Sequence, residues 1–139
     1  MNNIKMSILN DTRVLEEFKR SLITFFDELI TQFPTEADLV IARIFLNDQV
    51  PIKDVMDAFN LKINMEDCLL KKMVKERNES FFLEYNVFDS LGQKDKINHF
   101  KRLWRSGNLD IEDKEVVWKW VESFVYLADK YAKVKGNTV

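Results

Sequence analysis

At 139 residues the chain has the size of one domain and can bury a core without a disulfide or a structural metal. Its composition, 46% hydrophobic and 32% charged, excludes a disordered chain, and its three glycines and two prolines are too few for the many turns of a sandwich or barrel. A net charge of −2 is too small to imply a nucleic-acid or membrane partner by itself.

Residues 1–10 read as a flexible N-terminal arm, with no apolar run of the kind a signal peptide carries. Asp11-Thr12 can cap a helix reaching about Phe33, because their side-chain oxygens accept the free amides of a first turn. Leu15, Phe18, Leu22, Phe25, Leu29 and Phe33 then recur at three and four residues and share one face, which Phe26 and Ile30 widen. Pro34 ends this helix, and Thr35-Glu36-Ala37-Asp38 resembles a capping box. The run Leu39-Val40-Ile41-Ala42-Arg43-Ile44-Phe45-Leu46 is apolar nearly all round, which predicts a buried central helix whose Arg43 must reach solvent or a carboxylate.

Asn47 to Pro51 reads as a turn, followed by a short helix marked by Ile52, Val55, Met56 and Phe59. Asn60 to Asn64 reads as a break. Beyond it, Met65, Leu69 and Met73 adjoin Leu70, Val74 and Arg77 on a further helix that Asn78-Glu79-Ser80 could interrupt. Tyr85 to Gln93 has no clear period; Phe88 and Leu91 are its candidate anchors. Lys94 to Arg105 predicts a helix with Ile97, Phe100, Leu103 and Trp104 on one side, stopped by Ser106-Gly107-Asn108. The last helix, from about Ile111 to Val134, carries Val117, Trp120, Phe124, Leu127 and Tyr131 as its main stripe, and residues 135–139 form a tail. The sum is an all-α chain: a single-domain bundle of about six helices over 11–134, with the two end helices clasping the apolar helix at 36–46.

Candidate chemistry is sparse. Cys68 is the one cysteine and His99 the one histidine, too few soft ligands for a zinc site. Cys68, beside Leu69 and Leu70, suits a buried small hydrophobe rather than an activated thiolate. Asp110, Glu112, Asp113 and Glu115 suit a helix first turn, where acids meet the positive end of the dipole; they lack the glycine and the terminal Glu of a calcium loop. No GxGxxG, GxxxxGK or GxSxG pattern occurs. Catalytic residues, cofactor and metal are therefore all expected to be none, and no small-molecule substrate is evident.

One segment rises above this background. Lys94, Lys96, Lys101, Arg102 and Arg105 oppose a single acid, Asp95, and Trp104 sits among them. Basic groups beside an aromatic ring suit phosphate contact with base stacking. The helix geometry places Trp104 at the edge between the apolar and the basic face, so Lys94, Lys96, Lys101, Arg102, Trp104 and Arg105 are the candidate binding surface. Residues 1–60 carry six basic and ten acidic groups, so these cations could equally neutralise an acidic neighbour.

Three stretches carry a resemblance: Ala37-Asp38-Leu39-Val40-Ile41-Ala42-Arg43-Ile44-Phe45-Leu46, Asn98-His99-Phe100-Lys101-Arg102-Leu103-Trp104-Arg105-Ser106-Gly107, and Asp113-Lys114-Glu115-Val116-Val117-Trp118-Lys119-Trp120. Together, over about residues 11–134, the chain resembles an uncharacterised family of small helical proteins encoded by giant (nucleocytoplasmic large) DNA viruses. The resemblance brings no catalytic motif or activity with it, so it implies a setting and no functional residue. That setting is an infected cell, in the host cytoplasm or the viral factory, or the virion. The expected function is a non-enzymatic helical protein-interaction or structural module with a protein partner or self-association. The alternative is a nucleic-acid-associated protein using the basic 94–105 helix. The absence of an apolar run of the ~20 residues that span a bilayer argues for an intracellular, membrane-free chain.

Overall fold

The computed structural model of the protein describes residues 2–84, 98, 101, 102, 104–107 and 109–136. Among these residues the fold is all-α, with six helices and no strand. They are α1 (Asn2–Gln32), α2 (Ala37–Asp48), α3 (Ile52–Asn64), α4 (Leu69–Lys75), α5 (Glu79–Glu84) and α6 (Ile111–Gly136). Its helices group into two compact units, Met1–Leu61 with Ser123–Val139, and Lys62–Glu122.

In the first unit α1 begins at Asn2, so residues 2–10 continue the helix where an arm was expected. The Asp11-Thr12 pair is thus interior to α1 rather than its start. The apolar period beyond it is real: Val14, Phe18 and Leu29 are buried, and Phe18 lies at the centre of an aromatic cluster. Its ring stacks on Phe59 of α3 (centroids 6.1 Å apart) and meets the edge of Phe124 of α6 at 6.0 Å, while Phe25 meets Phe124 at 5.6 Å. Offset and edge-on pairs of this kind add to what area burial alone supplies. Met56, Leu127, Ala128 and Tyr131 complete this core.

α2 returns along α1 after the turn at Pro34, making a helical hairpin. Arg43 Nε donates to Asp27 Oδ1 at 2.5 Å, a carboxylate being one of the two outlets expected for it, and Lys19 Nζ donates to the Asn47 carbonyl at 3.0 Å. α3 runs on to Asn64, through the residues read as a break, because Ile63 is fully buried and holds the last turn in place.

Glu66, Asp67 and Cys68 then adopt three consecutive left-handed conformations (φ 53°, 55° and 63°). Each such residue costs on the order of 1–2 kcal/mol. The chain turns here, and Cys68 is the residue preceding α4, only partly covered, with its thiol donating to Asn64 Oδ1 at 3.8 Å.

The second unit is built around tryptophan. Leu70 and Val74 of α4, Leu109, and Val117 and Trp118 of α6 are buried with Trp104. Asn78 Oδ1 accepts the Phe81 amide at 3.0 Å and so starts α5 after the interruption that the sequence suggested. Arg77, at a left-handed φ of 53°, reaches two carboxylates seven residues apart on α6: Nε donates to Glu122 Oε1 at 2.7 Å and Nη1 to Glu115 Oε2. The hydrogen bonds it donates to Glu122 and then to Glu115 hold this guanidinium's pKa above its ordinary value. α6 opens on a reciprocal cap: the Asp113 amide donates to Asp110 Oδ1 at 2.8 Å and the Asp110 amide to Asp113 Oδ2 at 3.1 Å. These acids serve the helix start, as the dipole argument expects. In α6 the buried tryptophan is Trp118, whereas Trp120, placed on the main stripe by its spacing, is half-buried.

Candidate functional site

Two surfaces compete for the role of site: the basic segment before α6 and the apolar side of α2. Lys94 and Lys96 lie outside the described residues. Lys101, Arg102, Trp104 and Arg105 are helical. Arg102 and Arg105 are exposed and Lys101 is half-buried, so a basic face exists there. The aromatic member of the proposed surface is absent from it. Trp104 is 0% exposed. Its ring stands edge-on to Trp118 (centroids 6.0 Å apart, planes at 88°), and Lys114 Nζ lies 5.4 Å from its centroid on the way to Glu79 Oε1 at 3.3 Å. The edge position read from the helical period is not where the side chain sits. Trp118 supplies an apolar wall on that side, and the largest ring in the segment moves inward to meet it. Trp104 is core, and no base can stack on it.

α2 shows the reverse correction. The helix expected to be buried and central buries none of its twelve residues. Val40, Ile41, Ile44 and Phe45 are 40%, 53%, 47% and 52% exposed. Spaced at one, three and four residues, they form a continuous stripe, with exposed Ala37 and Asp48 on the same line at its two ends. The opposite side, with Leu39, Ala42, Arg43 and Leu46, is partly covered and lies toward α1. An all-round apolar helix needs neighbours on all sides to be buried. Among the described residues of its unit, α2 packs on α1. Ala37 and Asp48 were the available sequence signal for an open face: one small and one charged residue in register with the stripe.

A shallow cleft of about 290 Å³ lies between α1 and α6, lined by Asn10, Arg13, Val14, Glu17, Lys130 and Val134. Its side chains are two cations, one carboxylate, an amide and two valines, a set with no nucleophile paired to an orienting base. Among the described residues, no three His, Cys, Asp or Glu side chains gather as metal ligands do. No described helix is long and apolar enough to cross a membrane.

Comparison with models of known protein families, with curated proteins and with solved structures finds no match. The functional reading therefore rests on the residues themselves.

Proposed function

We propose that the protein is a non-enzymatic helical interaction module that docks a protein partner on the apolar side of α2. The observation that carries this reading is the stripe of Val40, Ile41, Ile44 and Phe45, each at least two-fifths exposed on α2. Single exposed apolar residues are common on any surface; four in one line, with nothing polar between them on that line, make a contiguous patch. Contiguous apolar patches are the feature that recurs at protein interfaces, where anchors of the Ile and Phe kind fill the partner's hollows. The nucleic-acid alternative keeps Arg102 and Arg105 as phosphate contacts and loses the ring that would stack a base. The setting we propose, an infected cell or a virion, rests on the resemblance of three stretches to proteins of giant DNA viruses.

Photo-crosslinking tests the docking reading. A benzoylphenylalanine at position 44 should give discrete protein adducts in cells that express the chain, while the same group at position 53, exposed on α3, gives none. Equal adduct patterns from the two positions would remove the reading.

A further inference from the structure

We infer that the cleft between α1 and α6 binds a single strand of nucleic acid, with Arg13, Arg20, Lys130 and Lys133 on its phosphates and Tyr126 against a base. This goes beyond the docking reading and uses a different face of the first unit.

The first argument is which cations are left over. In this unit Arg43 is paired with Asp27, Lys53 and Lys135 share Asp57, and Lys19 donates to the Asn47 carbonyl. Among the described residues, no ion pair engages Arg13, Arg20, Lys130 or Lys133, and all four are exposed. They are not scattered. Arg13 and Arg20 share one face of α1, Lys130 and Lys133 share one face of α6, and Arg13 and Lys130 line the same cleft. Phe18 and Phe25 both meet Phe124, while Val14 shares the cleft with Val134, so the two helices run antiparallel. Arg13 then lies toward the Lys133 end, and Arg20 toward the Tyr126 end, about 10 Å further along. The acids nearby are exposed Glu16 and Glu17, and Asp129, which is half-buried and already has a partner. Four cations against two open carboxylates leave this strip positive. The helix dipole explains a cation in the last turn of α6, where Lys133 stands; it does not explain Arg13 and Arg20 on the opposite wall.

The second argument is the ring. Tyr126 is 63% exposed, the most open aromatic side chain among the described residues, and lies one turn before Lys130 on the same face. Cations that hold phosphates beside a ring that takes a base are the two components of single-strand binding. In a duplex the bases are already stacked on one another, and a bilayer surface is too flat to enter a cleft, so a single strand fits best.

The test titrates the full chain against a fluorescein-labelled oligothymidylate of about twelve nucleotides, followed by anisotropy. The strand should bind at low salt and be released as salt rises. Tyr126→Ala should weaken binding about ten-fold, and Tyr126→Phe, which keeps the ring, hardly at all. Tyr126→Leu replaces the alanine variant if that chain melts early. Arg13→Gln with Lys130→Gln should weaken binding at least as much and flatten its salt dependence. Arg102→Gln with Arg105→Gln, in the other unit, should leave it unchanged. All these positions are exposed, so circular dichroism in urea should give midpoints like the parent's. No binding, binding that loss of the Tyr126 ring leaves intact, or binding that only the Arg102 and Arg105 pair removes would overturn the inference. So would equal affinity for a duplex of the same length, for polyglutamate or for phosphatidylserine vesicles, since those offer charge without an open base.

Discussion

Trp104→Ala should lower the stability of the folded chain by about 3–5 kcal/mol, the range for truncating a fully enclosed aromatic side chain. The side chain is 0% exposed, so its whole apolar area returns to water on unfolding, and its removal leaves a void the size of an indole. The void opens onto Trp118, whose ring loses its edge-on partner, and Lys114 loses the ring beneath its ammonium. The surroundings can close over such a gap only in part, because Trp118 is held by α6 and Leu109 by the capped turn at Asp110. Urea melts followed by tryptophan fluorescence check this, since Trp118 and Trp120 remain as reporters in the same unit. A loss below ~1 kcal/mol, the range of surface substitutions, would return Trp104 to the surface.

Phe18→Ala should cost a similar amount, about 3–5 kcal/mol, for a different structural reason. Phe18 is 2% exposed and joins three helices: its own α1, α3 through Phe59, and α6 through Phe124. Truncation leaves both partner rings facing a cavity, and Phe25 then remains the α1 ring in contact with Phe124. The three tryptophans lie in the other unit, so far-UV circular dichroism in urea is the suitable probe. A midpoint equal to that of the parent would show that the aromatic cluster does not hold α1, α3 and α6 together.

The helices were legible because their causes are local. The three- and four-residue recurrence from Phe18 to Leu29 is a property of the chain alone, and so is the placing of acids at the start of α6. The start of α1 was missed because Asp11 and Thr12 look like a cap, and a helix that continues through such residues leaves no mark in the local sequence. What failed was burial, which depends on neighbours. The run from Leu39 to Leu46 says that α2 has no polar side; it cannot say how many helices surround it. Trp104 and Trp120 failed together. Each lies near the boundary of an apolar face, and a shift of one residue in where the neighbouring helix crosses exchanges core for rim. Trp118 took the buried place expected of Trp120, and Trp104 packed against it. The candidate basic surface was therefore half legible: the charges of Arg102 and Arg105 are where the period puts them, and the aromatic ring is not.

The measurement that bears most directly on the docking face is crosslinking from position 44 in a chain carrying Ile41→Ser and Phe45→Ser. Both side chains are about half exposed, so the pair should fold and melt in urea within about 1 kcal/mol of the parent. Its adducts should vanish, because the anchors of the interface are gone. Adducts that persist unchanged, or a loss of several kcal/mol that marks the stripe as core, would contradict a docking role for α2.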